Sequence, residues 1–400
     1  MHIAIVWQRF LPYHLARLAH TYKYMKKLGN QFTAIEVAHQ EASYGFPQNY
    51  SNSDFPKICC FPEGFYHQYT SQQIFHRVFL SLRHLNPDII LAPATAFPEG
   101  MAAVHYRNVY KKRVVMMDDA WEYSDCRGLI TRWVKQLIHQ NIDAAFIPSP
   151  SHLNYYIKRG FPKERIVFGV DVVDNEYFRS KAEIVRAECI KIRREKNLPE
   201  NYFLFVGRFL PRKGLDNLII AYKKYYFSSN NEPWSLVLVG SGTYLPTIQK
   251  NIRDIPGIIY SGPQFGNDLV VYYSLAKTLI VPSFIDPWGL VINEAMASGI
   301  PILASHGCGA SRTLIREGQN GWTFDPFDTG NLADLMIRVA SLPKNEITAM
   351  GKKSQDIIGE WSLDRFLSGV LKAISLSRRR NAGVLSIFAT KFWKGKVSVL

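Results

Sequence analysis

The feature that most limits the fold of this chain is an alternation that runs along it twice: a short apolar run, a turn, then a stretch with helical spacing. In the first half, strand-like runs occupy His2–Gln8, Gln31–Ala38, Asp88–Ala92, Arg113–Met117, Ala144–Ile147 and the neighbourhood of Ile166–Phe168. Helical spacing occupies Leu15–Lys27, Ser71–Leu85, Pro98–Lys111, Leu129–Asn141 and His152–Arg159, with Arg9–His14 read as a turn. Runs this short and this apolar suit strands buried on both faces, and strand–helix alternation makes successive strands parallel. Residues 40–65 are aromatic and polar without a usable period. Ser180–Lys196 is charged and helical, and at Tyr202 the alternation restarts. Strands are then expected at Phe203–Val206, Ser235–Val239, Ile258–Tyr260, Thr278–Val281 and Ile302–Ala304, with helices at Leu215–Tyr225, Asp268–Ala276 and Leu290–Ser298 and a loop reaching Phe324. The expected architecture is α/β: two Rossmann-like, doubly wound parallel-sheet domains facing across a cleft, where ligands would sit. Residues 1–180 form the first domain, 181–200 a linker, 201–360 the second domain, and 361–400 a crossover helix with a basic amphipathic tail.

Within the second half one stretch stands out, VPSFIDPWGLVINEAMASG from Val281 to Gly299. A strand end is followed by a loop rich in Pro and Gly, and the loop delivers a helix N-terminus near residues 289–291, which Gly299-Ile300-Pro301 later closes. Unpaired backbone N–H groups and the positive end of the helix dipole make such a terminus an anion site. Asp286 and Glu294 flank it. A carboxylate there would repel phosphate but accept hydrogen bonds from sugar hydroxyls, so the combination suits a ligand carrying both. The plainer alternative is a strand–loop–helix unit whose acids are merely solvated. The loop Gly207–Gly214, GRFLPRKG, also joins a strand to a helix. Arg208 offers a planar fork for two phosphate oxygens and Lys213 a compact charge, enough to neutralise a diphosphate without a divalent metal. The alternative there is an ordinary basic surface loop.

Composition narrows the partners. Four hundred residues that are 47% hydrophobic give core enough for two or three domains. A net charge of +15 favours a polyanionic partner: nucleic acid, an anionic membrane surface or a phosphate-bearing substrate. No nucleic-acid module is recognisable, so nucleic acid is not expected. Five cysteines, at 59, 60, 126, 189 and 308, lack metal-site spacing and point to a reducing compartment. Met1-His2-Ile3-Ala4 runs directly into a strand with no leader pattern, and no apolar stretch is long enough to span a bilayer. A cytoplasmic protein, or one peripheral on the inner face of the membrane, is the expectation.

The order of these pieces resembles the retaining glycosyltransferases of family 4, which adopt the GT-B fold. The resemblance rests on VGRFLPRKG (206–214), LVLVGSG (236–242), IIYSGPQ (258–264), VPSFIDPWGLVINEAMASGIPILAS (281–305) and the segment Gly318–Pro326. It is close over roughly 200–330 and architectural elsewhere. It implies that Arg208 and Lys213 bind the diphosphate of a nucleotide sugar, UDP- or GDP-linked. It also implies that Glu294 holds the ribose hydroxyls, and that backbone at Gly289, Leu290 and Val291 touches phosphates and sugar. Base recognition would come from backbone near Gly262–Gln264. Asp286 stands where the family has a glutamate facing the transferred sugar, one methylene shorter. With Asp286, Arg208 and Lys213 as the catalytic set, no metal and no resident cofactor are implied, and a leaving phosphate oxygen helps take the acceptor proton.

The first half departs from the family. The loop after the fourth strand reads Ala92-Pro93-Ala94-Thr95 where relatives carry a histidine, and Asp118-Asp119-Ala120-Trp121-Glu122 follows the next strand. The first loop lacks the glycines of many relatives. Asp119 and His14 are the candidates for orienting an acceptor hydroxyl, each equally readable as structural. Gly383–Lys394 alternates apolar and basic residues with aromatics, which suits an anionic membrane surface or a helix packed on the first domain. The expected function is transfer of a sugar to a glycan or lipid-linked acceptor in cell-surface polysaccharide assembly. A nucleotide-sugar epimerase and a non-catalytic basic adaptor on the same fold are the alternatives.

Overall fold

The computed structural model describes residues 1–40, 54–122, 128–229 and 232–397. Cys126 and residues 41–53 of the 40–65 region, singled out above, lie outside them. The chain divides into two compact units, Met1–Val172 with Leu363–Leu400, and Val173–Ser362.

The first unit is built on β1 (His2–Trp7), β2 (Gln31–Gln40), β3 (Lys57–Phe65), β4 (Ile89–Pro93), β5 (Arg113–Met117), β6 (Ala144–Ile147) and β7 (Ile166–Phe168). They form one seven-stranded sheet in the order β3-β2-β1-β4-β5-β6-β7, every pair parallel. Helices α1 (Pro12–Lys27), α2 (Ser71–Leu85), α3 (Pro98–Tyr110), α4 (Leu129–His139) and α5 (Leu153–Ile157) provide the crossovers. Ile3 to Val6 are wholly buried, as a central strand covered on both faces requires. Boundaries follow local chemistry. Thr70 accepts from the Gln73 N–H at 3.2 Å while Gln73 accepts from the Thr70 N–H at 2.8 Å, a capping box that starts α2. Pro12-Tyr13-His14, expected as a turn, is the first turn of α1, because Pro12 occupies the position where a missing N–H costs nothing.

The second unit comprises α6 (Asn175–Ala187), α7 (Cys189–Lys196), β8 (Tyr202–Val206), α8 (Leu215–Ser228), β9 (Ser235–Val239), α9 (Leu245–Ile252) and β10 (Ile258–Tyr260). It continues through α10 (Gly266–Leu275), β11 (Thr278–Val281), α11 (Leu290–Ala297), β12 (Ile302–Ser305), α12 (Ser311–Leu314), β13 (Gly321–Phe324), α13 (Thr329–Ala340) and α14 (Lys344–Gly359). Its six parallel strands run β10-β9-β8-β11-β12-β13. Residues 181–200, expected as a linker, fold mostly into α6 and α7 and pack inside this unit. Arg186 donates to the carbonyls of Ser274 at 3.1 Å and Ser298 at 2.5 Å. The segment expected as a loop up to Phe324 ends in β13, paired with β12 through Ile302↔Gly321.

After Ser362 the chain returns to the first unit as α15 (Leu363–Leu376) and α16 (Val384–Phe392). Gly369 of α15 lies so close to the Phe146 ring that an added Cβ would sit 2.5 Å from it. Both sheets reverse their winding direction once, between β1 and β4 and between β8 and β11. In open parallel sheets, ligands bind beyond the carboxyl ends of the strands at such a reversal.

Candidate functional site

In the second unit the loops that leave β8 and β11, the two strands flanking the reversal, are the two basic and acidic loops singled out in the sequence. They are in direct contact. Gly214 adopts φ +71°, and a Cβ on it would lie 2.1 Å from the Pro282 carbonyl oxygen, so only glycine admits the approach. The Phe284 N–H donates to the Arg212 carbonyl at 2.9 Å. The approach delivers Lys213 to Asp286: Nζ donates to Oδ2 at 2.5 Å, with both side chains largely buried. The loop after β12 holds Asp286 from the other side, its N–H donating to Gly307 O at 2.9 Å and its carbonyl accepting from Gly309 N–H at 3.0 Å.

Asp286 in turn stands beside the start of α11. Its Oδ2 lies 3.5 Å from where a Gly289 Cβ would be, and the Cys308 sulfur lies 2.5 Å from the same point. Gly289, at φ +93°, turns the chain into the helix without a side-chain cap. Leu290 and Val291, the first two helical residues, have N–H groups that no preceding helical carbonyl can reach. Lysine, carboxylate and helix terminus therefore form one cluster. An ammonium already neutralised by a carboxylate, beside a dipole of positive sign, still attracts an anion, because the helix end adds roughly half a unit of positive charge.

Glu294 lies one turn into α11, partly exposed, and accepts from the Tyr273 hydroxyl of α10 at 2.7 Å. Burial pushes its carboxyl up to about 7, with the tyrosine hydrogen bond partly opposing the rise. Burial also pushes the Tyr273 hydroxyl well above its ordinary value, so this hydroxyl remains a donor. Arg208 begins the β8 loop and is partly exposed; the loop is seated by the Phe209 N–H donating to Ser241 O at 2.8 Å. Gly262, at φ +70°, accepts from the Gly240 N–H at 3.0 Å, and the Gln264 amide folds back to Ser261 O at 2.7 Å. These residues lie beyond β10, on the same sheet edge as the cluster.

The acceptor-side candidates belong to the first unit. His14 sits in the first turn of α1, with its ring against Trp7 at 4.5 Å and its Nδ1 accepting from the Leu11 N–H at 3.2 Å. Burial, and then the Arg17 charge, hold it well below its ordinary value, so the ring is neutral. Asp119 follows β5 and is exposed. Sequence spacing gave no sign of Tyr273, Cys308 or the Gly214–Pro282 contact, since each joins segments distant in the chain. Nor did it show the cluster of Glu36, His39 and Cys59, whose ligand atoms lie within 4.8 Å of one another. There Glu36 already accepts from the Phe10 N–H and pairs with His39, both at 2.6 Å, and burial pushes the Cys59 thiol up to about 12. A hydrogen-bonded cluster accounts for that geometry.

Residues 188–356 match the family described as glycosyl transferases group 1, a span lying wholly inside the second unit. The sulfoquinovosyl transferase of Arabidopsis thaliana is 22% identical over 94% of this chain and 71% of its own length. A GDP-mannose-dependent phosphatidylinositol monomannoside mannosyltransferase of Mycobacterium tuberculosis is 26% identical over 48% of this chain and 51% of its own length. The chain thus spans only about half the length of several relatives it matches. Among solved structures, HepE of Anabaena in complex with UDP-glucose superposes with a TM-score of 0.73 at 16% identity, covering 94% of this chain and 99% of that one. Sucrose-phosphate synthase from Thermosynechococcus elongatus superposes with a TM-score of 0.72 at 18% identity, covering 94% and 98%. The fold is that of these proteins, two parallel-sheet Rossmann-like units in the GT-B manner.

Proposed function

We propose that this chain is a retaining, metal-independent glycosyltransferase of family 4. It moves a hexosyl group from a UDP- or GDP-linked donor to a glycan or lipid-linked acceptor in cell-surface polysaccharide assembly. The observation that carries the proposal is the contiguity of Lys213, Asp286 and the N-terminus of α11, with Glu294 one turn further on. As the sugar–phosphate bond breaks, negative charge grows on the departing diphosphate. Lys213, Arg208 and the N–H groups of Leu290 and Val291 are preorganised to receive it, work that a divalent cation does elsewhere. Asp286 fixes the Lys213 ammonium before the donor arrives and offers an acceptor to the transferred sugar. Glu294, as carboxylate, accepts from the ribose hydroxyls. The acceptor hydroxyl attacks from the face the diphosphate leaves, and a diphosphate oxygen takes its proton, so the protein supplies no general base. Relatives whose names state a nucleotide sugar or a lipid-linked acceptor support this assignment.

The test is a melting panel of UDP, GDP, ADP and their hexose conjugates in the presence of a chelator, followed by product analysis with the donor selected. One base should raise the melting temperature of wild type and not that of Lys213→Ala. Lys213→Ala and Arg208→Ala should each lower turnover about a hundredfold or more, the usual loss for one transition-state anion contact. Near-normal turnover in both variants, or a requirement for added metal, would overturn the assignment.

A further inference from the structure

We infer that α4 and α16 together form a surface that docks on an anionic lipid bilayer. The inference does not rest on the transfer reaction. It starts from α16, which is built inside out. A helix facing water normally turns its apolar stripe inward. Here the inward stripe is Ser386 and Thr390, each 1% exposed, while Val384 is 87% and Phe392 73% exposed, with Leu385 and Phe388 exposed between them. The inward hydroxyl is not accidental: Ser386 donates to the Leu137 carbonyl of α4 at 2.6 Å and accepts from the Asn141 amide at 2.7 Å. Neither is the helix a loose tail that can roll over. Before it, the Arg380 N–H donates to Asp143 at 2.8 Å, and after it the Trp393 indole donates to Thr95 O at 2.8 Å. The orientation is fixed at both ends, and the apolar stripe stays outward.

The neighbouring α4 extends the same kind of surface. Ile130 is 80% exposed and Trp133, one turn on, 54%. An outward apolar stripe of this size marks a contact with an apolar phase or partner, and the surrounding charge decides which. From Arg365 to Leu400 the chain has no Asp or Glu, and neither does 128–140. Arg378, Arg379, Lys391 and Lys396 are exposed on and around α16. Two copies of so basic a surface repel each other, whereas an anionic leaflet attracts both its charges and its aromatics. Among the described residues no helix is long and apolar enough to cross a membrane. A nine-residue helix with aromatic and basic residues would instead lie in the interface plane.

The full chain is sedimented with vesicles of phosphatidylglycerol and phosphatidylethanolamine, and separately with vesicles of phosphatidylcholine alone. Binding is expected to the first, weakened by salt, and not to the second. Combining Phe388→Ser with Phe392→Ser should cut the bound fraction about tenfold or more, and Ile130→Glu should do the same from α4. Far-UV circular dichroism and nucleotide-induced melting shifts should match wild type, since these side chains point outward. Sedimentation velocity without lipid covers the competing occupant. A dimer that the double variant converts to monomer would assign the face to a second copy and overturn the inference. So would equal binding to both vesicle types, or binding that the variants leave intact.

Discussion

At Glu294 the sequence shows a carboxylate and the structure shows when it is one. Burial holds the group up at about 7, so near neutral pH the site is divided between acid and carboxylate. In the role proposed for Glu294, only the carboxylate accepts freely from two ribose hydroxyls. Nucleotide affinity should therefore rise with pH through 7, level off about one unit above, and fall about tenfold per unit well below. Isothermal titration of Glu294→Gln should give weaker binding with that slope removed; an unchanged slope would take Glu294 out of the binding equilibrium. Stability must move the opposite way. The folded group titrates above its ordinary value of about 4.3, so its contribution to the fold is fully present below that value and is lost as pH rises through 7. Calorimetry should find Glu294→Gln more stable than wild type above neutrality and equal to it at acid pH.

At the scale of elements, the site depends on two loops touching, and Gly214 is where they touch. Alanine there meets both a left-handed backbone and the Pro282 carbonyl at 2.1 Å. Gly318, at φ +73° with nothing within 4 Å of its added Cβ, isolates the backbone cost. Urea unfolding should show Gly318→Ala losing about 1 kcal/mol and Gly214→Ala about 2–4 kcal/mol, the excess being the clash. Gly214→Ala should also weaken nucleotide binding, because relief of the clash pulls Lys213 from Asp286. Equal losses in the two variants would mean that the loops tolerate separation. This contact marks the limit of what spacing reveals. The loops after β8 and β11 are legible because apolar runs end in Gly and Pro, and their order places them at the sheet reversal. Their contact joins residues far apart in sequence, and no periodicity encodes it. β3 was illegible for another reason: it is an edge strand paired only with β2, and Cys60 is its one fully buried residue. An edge strand needs neither a continuous apolar run nor clean alternation. By contrast, α13 is absent from the expectations above although the chain carries its signal, Asp328 ahead of Leu332, Leu335, Met336 and Val339; in the structure Asp328 accepts from the Asn331 N–H at 2.9 Å.

Over the whole molecule, the return of the chain from the second unit to the first is fastened by one buried acid. Asp143 and Arg107 are 0% and 1% exposed and paired through two nitrogens, at 3.1 and 2.7 Å. The same carboxylate accepts from the Val114 N–H at 2.9 Å and from the Arg380 N–H at 2.8 Å, joining α3, β5 and a residue 237 positions later. The Arg107 guanidinium also donates to Arg380 O at 2.7 Å. A tail read from composition as basic and amphipathic is thus a fixed element, and its inward and outward faces could not be told apart until this anchor was visible. Asp143→Ala leaves a buried guanidinium without its counter-charge, which typically costs about 3–5 kcal/mol. The loss should be local. Hydrogen exchange should accelerate in α3, β5, β6 and α16, while α11 and β8 keep wild-type protection and the nucleotide-induced melting shift persists. Vesicle binding should weaken in the same variant, because α16 would no longer be held with its apolar stripe outward. If α16 exchanges no faster while β5 does, the tail is held by its other contacts, those of Ser386, Trp393 and Lys396 among them, and the Arg380 contact contributes nothing to its orientation.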